Sequence, residues 1–202
     1  MPGKIYIASM NMRGKWGTPI DPSATKVNVT SAQGKTNKNR RDFSPMTEVE
    51  GGYKGFWNFE SYWQSGKVFE DIPHEKSLQW WLNVKEAKRR YPNSKGKKVL
   101  HAVWDNKQYD YVSSRKKIYV PEYLDLICNR EMLQFWKKKY EEGEDLIIYD
   151  FDGPRTIDGD VSCEELTKEL LIEKINDTRF PFGHGYIVGS AIAGIEHEEY
   201  TL

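Results

Sequence analysis

The chain has no net charge, few cysteines and no long apolar segment. Its 202 residues include 30 Lys and Arg and 30 Asp and Glu, and this balance gives no overall attraction to nucleic acid or to a membrane surface. No run approaches the ~20 apolar residues of a membrane-spanning helix, and the first residues, MPGKIYIASMNMRGKW, lack the apolar core of a secretory signal. We therefore expect an intracellular, cytoplasmic protein without a membrane-embedded part.

Only two cysteines are present, Cys128 and Cys163. They lie far apart and match no metal-ligand spacing, so they are expected to be ordinary thiols of a reducing compartment. The sequence predicts no metal site and no cofactor. Aromatic residues, in contrast, make up 13% of the chain, and such rings fill cores or stack on the bases of ligands.

Apolar periodicity predicts helices and strands interspersed along a single domain of residues 1–202. The predicted strands cover 4–9, 26–30, 97–104 and 145–151. The predicted helices cover 59–70, 75–90, 121–141, a stretch after a capping box at 162–165, and a stretch after the glycines at 183–185. Because strands and helices do not alternate regularly, the fold class predicted is α+β, rich in helices, with a small β-sheet.

The decapeptide NFESYWQSGK is the most informative pattern in the chain. It spaces Glu60, Gln64 and Lys67 at i, i+4 and i+7, so that on a helix the three side chains share one face. Trp57 and Trp63 flank them. A carboxylate, an amide and an ammonium in an aromatic setting can hold a small polar molecule and move its protons. The alternative is a solvated helix face with a Glu–Lys pair, worth a few tenths of a kcal/mol.

A second candidate, Asp150 and Asp152, follows the clearest predicted strand. Carboxylates two residues apart at a strand end point the same way, which suits metal binding or acid–base chemistry. The alternative is an ordinary Asx turn before Gly153 and Pro154.

A third candidate is the turn formed by Gly183, His184 and Gly185. A glycine turn before a helix leaves backbone N–H groups available for an anion, and the histidine is then a proton carrier or a phosphate ligand. The alternatives are close packing by the glycines and a hydrogen-bonded structural histidine.

Two stretches of the chain are basic, Lys35–Arg41 and Lys85–Lys98. Each is explained by solvation at the surface or by attraction of a phosphorylated or nucleic-acid ligand. Because the net charge is zero, a nucleic-acid partner is possible but not favoured.

The motifs together resemble the NADAR family, which handles NAD- and ADP-ribose-related N-glycosides. The family's first motif is similar to Phe-Ser-Asn-Phe followed by Glu-His-x-x-Gln-x-x-Lys. This chain has Phe43-Ser44-Pro45-Met46 and then Glu60 to Lys67, with Ser61 at the histidine position. The family's acidic turn resembles the chain around Asp150, without its Trp-Gly. Its final turn and helix resemble Gly183–Ile195, without its Asn-x-Leu-Gly.

The resemblance implies an N-glycosidase that acts on an ADP-ribose-like, nucleotide or ribosyl-amino substrate. Glu60 would stabilise positive charge at the ribose C1′ or activate a water. Lys67 would keep Glu60 ionised, bind a phosphate or attack C1′. Gln64 would orient a ribose hydroxyl. The partner would be a small nucleotide-like molecule or an ADP-ribosylated substrate, and no membrane is expected.

The resemblance also gives roles to residues outside the first motif. Asp150 or Asp152 would act as the partner acid for the departing base. Trp57 or Trp63 would stack on that base, and the turn Gly183–Gly185 would take a phosphate. The alternative function is a non-catalytic protein that binds and sequesters a nucleotide through the same cavity.

Overall fold

A computed structural model describes residues 1–10 and 23–202. The backbone forms two compact units, unit 1 (Met1–Ser44 with Val120–Leu202) and unit 2 (Pro45–Tyr119). Helices and two small sheets are interspersed along the chain, which confirms the predicted helix-rich α+β class. The single domain stays a prediction, and each unit is described by itself.

The elements are numbered in chain order. The strands are β1 Ile5–Ser9, β2 Thr25–Asn28, β3 Lys67–Phe69, β4 Val99–Trp104, β5 Lys107–Tyr109, β6 Leu146–Asp150 and β7 Cys163–Glu165. The helices are α1 Lys38–Phe43, α2 Phe59–Ser65, α3 His74–Asn83, α4 Tyr111–Ser114, α5 Val120–Ile127, α6 Glu131–Glu141, α7 Lys168–Asn176, α8 His184–Ala193 and α9 Glu198–Thr201. A π-helical turn, Arg115–Tyr119, joins α4 to α5. No helix of the described part of the chain is long and apolar enough to cross a membrane.

Unit 1 is built on a four-stranded sheet in the order β2–β6–β1–β7. Strand β6 runs parallel to β1 and β2, and β7 runs antiparallel to β1. Strands β1 and β6 are buried along their whole length, as expected for near-continuous apolar strands covered on both faces. Helix α8 packs on them at Gly189, where an added Cβ would come within 3.0 Å of Ile7. The sheet therefore places Asp150, the last residue of β6, beside Ser9.

Unit 2 combines α2 and α3 with the antiparallel sheet β3–β4–β5. Asn58 caps α2 as predicted, because its side chain accepts a hydrogen bond of 2.8 Å from the backbone N–H of Ser61. The helix nevertheless ends at Ser65, five residues before the predicted end. Lys67 then enters β3 and pairs with Ala102 of β4.

The remaining predictions differ mainly at helix ends. The four predicted strands are confirmed as β1, β2, β4 and β6. The helix predicted to reach residue 90 ends at Asn83, and the helix predicted over 121–141 is interrupted between Ile127 and Glu131. The predicted capping box is wrong, because Cys163–Glu165 pairs with β1 as a strand and Thr167 caps α7 instead.

Candidate functional site

Unit 2 contains a cleft of about 240 Å³ beside strand β4. Side chains from α2, β3, β4 and α4 contribute to its lining. They include Trp63, Lys67, Leu100, Trp104, Tyr111 and Ser114. Of the motif that the sequence singles out, Trp63 and Lys67 line the cleft, whereas Glu60 and Gln64 are not among the residues that line it.

Two stacked tryptophans form the floor of the cleft. The ring centres of Trp63 and Trp104 are 5.1 Å apart and their planes differ by 10°. Tyr119 packs on Trp63 with 4.8 Å between ring centres, and both tryptophans are buried. Because protein rings already cover Trp63, the predicted stacking of this side chain on a base does not fit its surroundings. Trp57 lies in the turn before α2, where its carbonyl accepts a hydrogen bond from Val49.

Lys67 reaches the cleft from the start of β3. Its Nζ atom lies 5.7 Å from the centre of the Trp63 ring, a distance at which an ammonium is attracted to the face of the indole. The prediction that Lys67 shares a helix face with Glu60 and Gln64 is wrong, because α2 ends before it and β3 pairs with β4. Lys67 nevertheless lines the cleft, because it extends from strand β3 rather than from helix α2.

Glu60 and Gln64 do lie on one face of α2. The Nε2 atom of Gln64 donates a hydrogen bond of 2.7 Å to Oε1 of Glu60, as the i, i+4 spacing predicts. Both side chains belong to half-buried residues. The amide therefore fixes the orientation of the carboxylate, which is what a positioned acid or base requires.

Asp150 and the glycine turn lie together in unit 1. Asp150 is 2% exposed, and its Oδ2 atom accepts a hydrogen bond of 2.7 Å from the N–H of Gly185. The same oxygen lies 3.3 Å from Nδ1 of His184, whose Nε2 atom is 2.8 Å from the carbonyl oxygen of Val29. Both ring nitrogens of the histidine thus have partners inside the protein.

This arrangement corrects the prediction of a phosphate at Gly183–Gly185. The anion at the start of α8 is the carboxylate of Asp150, which uses the N–H group predicted to bind the phosphate. A Cβ atom at Gly183 would collide with that carboxylate, so glycine is needed here for close packing. Asp152 is exposed, unlike Asp150, so the two carboxylates do not form the paired site that the sequence suggests.

A buried tyrosine completes the network of unit 1. The ring centre of Tyr123 lies 5.7 Å from that of His184. Burial raises the pKa of Tyr123 well above its ordinary value, and the charge of Asp150 raises it further. The hydroxyl therefore stays protonated and donates a 2.5 Å hydrogen bond to the carbonyl of Phe43. Within the described residues, no group of three or more His, Cys, Asp or Glu is placed to hold a metal ion.

Two cations of the first basic stretch form ion pairs inside unit 1. Lys38 and Arg41 lie 3.0 Å and 2.9 Å from the carboxylate of Glu131. In unit 2, Tyr91 of the second stretch is buried and packs edge-on against Trp80. The ring of Tyr91 therefore has little surface on which a base could stack.

Leu100, Trp104 and Tyr111 are among the lining residues of the cleft that sequence reasoning missed. Leu100 and Tyr111 are 54% and 37% exposed, so they lie at its mouth, whereas Trp104 is buried in its floor. The alternation of the predicted strand 97–104 places Leu100 and Trp104 on one side of the strand. No comparable pattern indicates Tyr111, because it starts a short helix after a turn.

Comparison of the chain with protein-family models, with curated proteins and with solved structures gives no match. The resemblance to the NADAR family therefore depends on the sequence motifs alone. An assignment of function depends on the cleft and on the residues beside it.

Proposed function

We propose that the protein is an N-glycosidase that hydrolyses the N-glycosidic bond of an ADP-ribose-like, nucleotide or ribosyl-amino substrate in the cleft of unit 2. The observation that carries the proposal is the position of Lys67, whose ammonium lies over Trp63 in the lining of the cavity. Glu60 and Gln64 lie on α2, the helix that also carries Trp63. A volume of about 240 Å³, slightly below the ~300–1,000 Å³ of typical ligand pockets, suits a nucleoside-sized group.

The chemistry follows from the charge that develops during bond cleavage. When the bond between the ribose C1′ and the base nitrogen breaks, the electron pair leaves with the base and positive charge develops on the sugar. The carboxylate of Glu60 stabilises that charge or takes a proton from the attacking water. The oxygen of this water bonds to C1′, and a departing base that leaves as an anion takes up a proton from solvent. Gln64 holds this carboxylate through its 2.7 Å hydrogen bond.

Lys67 has three possible roles in this scheme. It keeps Glu60 ionised through its charge, binds an anionic group of the substrate, or attacks C1′ as a nucleophile. Its position over an indole ring favours a charged ammonium, because the ring face attracts a cation. That supports the first two roles over the third. We assign no chemical step to Asp150, because its carboxylate is buried with Gly185 and His184.

A binding protein that sequesters a nucleotide is the second candidate, favoured by the partly exposed ring of Tyr111 in the lining of the cleft. Incubation of the pure protein with NAD, AMP and ADP-ribosylated peptide separates the two candidates. Release of a free base or a free ribosyl group supports the glycosidase. Quantitative recovery of an intact, bound ligand after denaturation supports the binding protein, and recovery of unbound ligand contradicts both.

We also propose that the protein acts in the cytoplasm. Both cysteines are free thiols, Cys128 exposed and Cys163 half-buried, which fits a reducing compartment. Fractionation of the cells that produce the protein tests the assignment, and its recovery in the soluble fraction with both thiols reactive is expected.

A further inference from the structure

The aromatic residues that line the cleft differ in how much of their surface a ligand can reach. Trp63 and Trp104 are 9% and 6% exposed, whereas Tyr111 is 37% exposed. Trp63 is in contact with Trp104, with Tyr119 and with the ammonium of Lys67. Tyr111 is therefore the lining ring with the most surface left for a ligand.

One face of Tyr111 is covered by a cation. The guanidinium carbon of Arg115 lies 4.1 Å from the centre of the Tyr111 ring. Arg115 is only 1% exposed, so this contact is on the protein side of the ring. Tyr111 itself is partly exposed and lines the cleft.

Arg115 lies in a stretch of backbone with an uncommon conformation. Arg115 opens the π-helical turn that follows α4, and Tyr119 at the end of that turn packs on Trp63. π-Helical turns are rare in proteins, and those that occur are often found at functional sites. Here the same turn supports both the mouth of the cleft, through Arg115 and Tyr111, and its floor.

The charge of Arg115 bears on which kind of ring would stack on Tyr111. A cation on one face withdraws electron density from the π-system, so the opposite face prefers an electron-rich partner. Purines are the most electron-rich bases, whereas the nicotinamide ring of NAD is itself a cation and is repelled. Unit 2 has 14 Lys and Arg against nine Asp and Glu, which favours an anionic ligand.

We propose that Tyr111, backed by Arg115, is the specificity-determining platform for the base, and that the base is the purine of a nucleoside phosphate. Lys67, in the same lining, attracts the anionic part of that ligand. This inference rests on the proposed function of the cleft and names its substrate class.

The test measures dissociation constants by calorimetry for AMP, nicotinamide mononucleotide and ribose 5-phosphate. The wild type is expected to bind AMP about tenfold more tightly than the other two, since a stacked base contributes about that factor. Tyr111→Leu is expected to lose this factor for AMP and to bind ribose 5-phosphate unchanged, whereas Tyr111→Phe keeps it. The control Phe135→Leu removes an exposed ring of α6 in unit 1 and should bind all three like the wild type.

The outcomes separate the inference from the proposed function. If Tyr111→Leu binds AMP like the wild type while Lys67→Met weakens all three ligands, the platform is wrong and the cleft remains the site. If nicotinamide mononucleotide binds as tightly as AMP, the purine preference is wrong. If the wild type binds none of the three, the proposed function fails and the inference fails with it.

Discussion

The ammonium of Lys67 lies 5.7 Å from the centre of the Trp63 ring, and the two side chains reach one cleft from different elements. Trp63 belongs to α2, whereas Lys67 begins β3. Gly66 carries the chain from the helix to the strand. The position of the cation over the ring therefore depends on how the backbone passes through Gly66.

A methyl group at position 66 should disrupt the cleft. A Cβ atom there would overlap the ring of Trp104, which is wedged against the backbone. We expect Gly66→Ala to lower the free energy of unfolding by about 1–3 kcal/mol, as overpacking of a core does. Urea unfolding measures the loss, and tryptophan fluorescence reports the displacement of the stacked pair.

The matched control for this substitution is Gly34→Ala, because nothing lies within 4 Å of a Cβ at Gly34. It should change the unfolding free energy by less than about 0.5 kcal/mol. Equal effects of the two substitutions would show that the contact with Trp104 is not what requires a glycine at position 66.

Asp150 should be needed for the stability of the fold rather than for a reaction with a ligand. Asp150→Asn removes the charge that faces the N–H of Gly185 and the ring of His184. We expect a loss of about 2–4 kcal/mol, because a buried charged partner is removed and the groups around it stay buried. Thermal unfolding measures it. Asp152→Asn, at an exposed position, should cost far less, and a similar cost for both would contradict this account of the network.

Asp42 should make the stability of the fold depend on acid pH. Burial alone would raise the pKa of Asp42, but the hydrogen bonds from Arg41 and from the N–H of Met132 outweigh it, so the pKa lies below its ordinary value. A depressed pKa means that the carboxylate stabilises the fold above the unfolded-state pKa of about 4. That contribution is lost as the pH falls through the folded-state pKa.

The substitution Asp42→Asn tests this dependence. Urea unfolding between pH 7 and pH 3 should show a shallower loss of stability for the variant than for the wild type. At pH 7 the variant should be less stable by about 1 kcal/mol, the usual contribution of a side chain that accepts from a helix N-terminus, here the N–H of Met132 in α6. Two parallel curves would contradict the assignment to Asp42.

Two buried serines of α2 should respond in opposite ways to truncation. Ser61 is fully buried, and its Oγ atom has no hydrogen-bond partner within the described part of the chain. Ser65 is also buried, but its hydroxyl donates a 2.7 Å hydrogen bond to the carbonyl of Tyr62. We expect Ser61→Ala to be neutral or stabilising and Ser65→Ala to cost about 1 kcal/mol. Unfolding of both variants by urea checks the difference, and an equal cost would indicate an internal water at Ser61.

Strands were the most predictable part of the fold. The runs IYIAS and LIIYD of β1 and β6 are short, apolar and rich in β-branched residues, and such runs favour buried strands from sequence alone. Their pairing was not predictable, because β1 and β6 are neighbours although they are far apart along the chain. The predicted helix ends were wrong where tertiary contacts determine the end of the helix. At Gly66, for example, the ring of Trp104 occupies the space that a side chain would need.

The candidate site was predictable only where its geometry is local. The hydrogen bond between Gln64 and Glu60 follows from an i, i+4 spacing. The platform of Tyr111 and the cation of Arg115 depend on a π-helical turn that leaves no simple periodic pattern. The carboxylate of Asp150 accepts its hydrogen bond from Gly185, which lies 35 residues further along the chain. Local sequence patterns do not predict such a contact, so they could not show that the protein supplies its own anion at this helix N-terminus.

The rate of base release by variants of α2 and β3 tests the central claim most directly. With a substrate that the wild type hydrolyses, Glu60→Gln and Lys67→Met should each lower the turnover rate by about 100-fold or more. The neighbouring exposed substitutions Glu75→Gln and Lys76→Met on α3 should leave it within twofold of the wild type. A folded Glu60→Gln protein that releases the base at the wild-type rate would contradict the proposal.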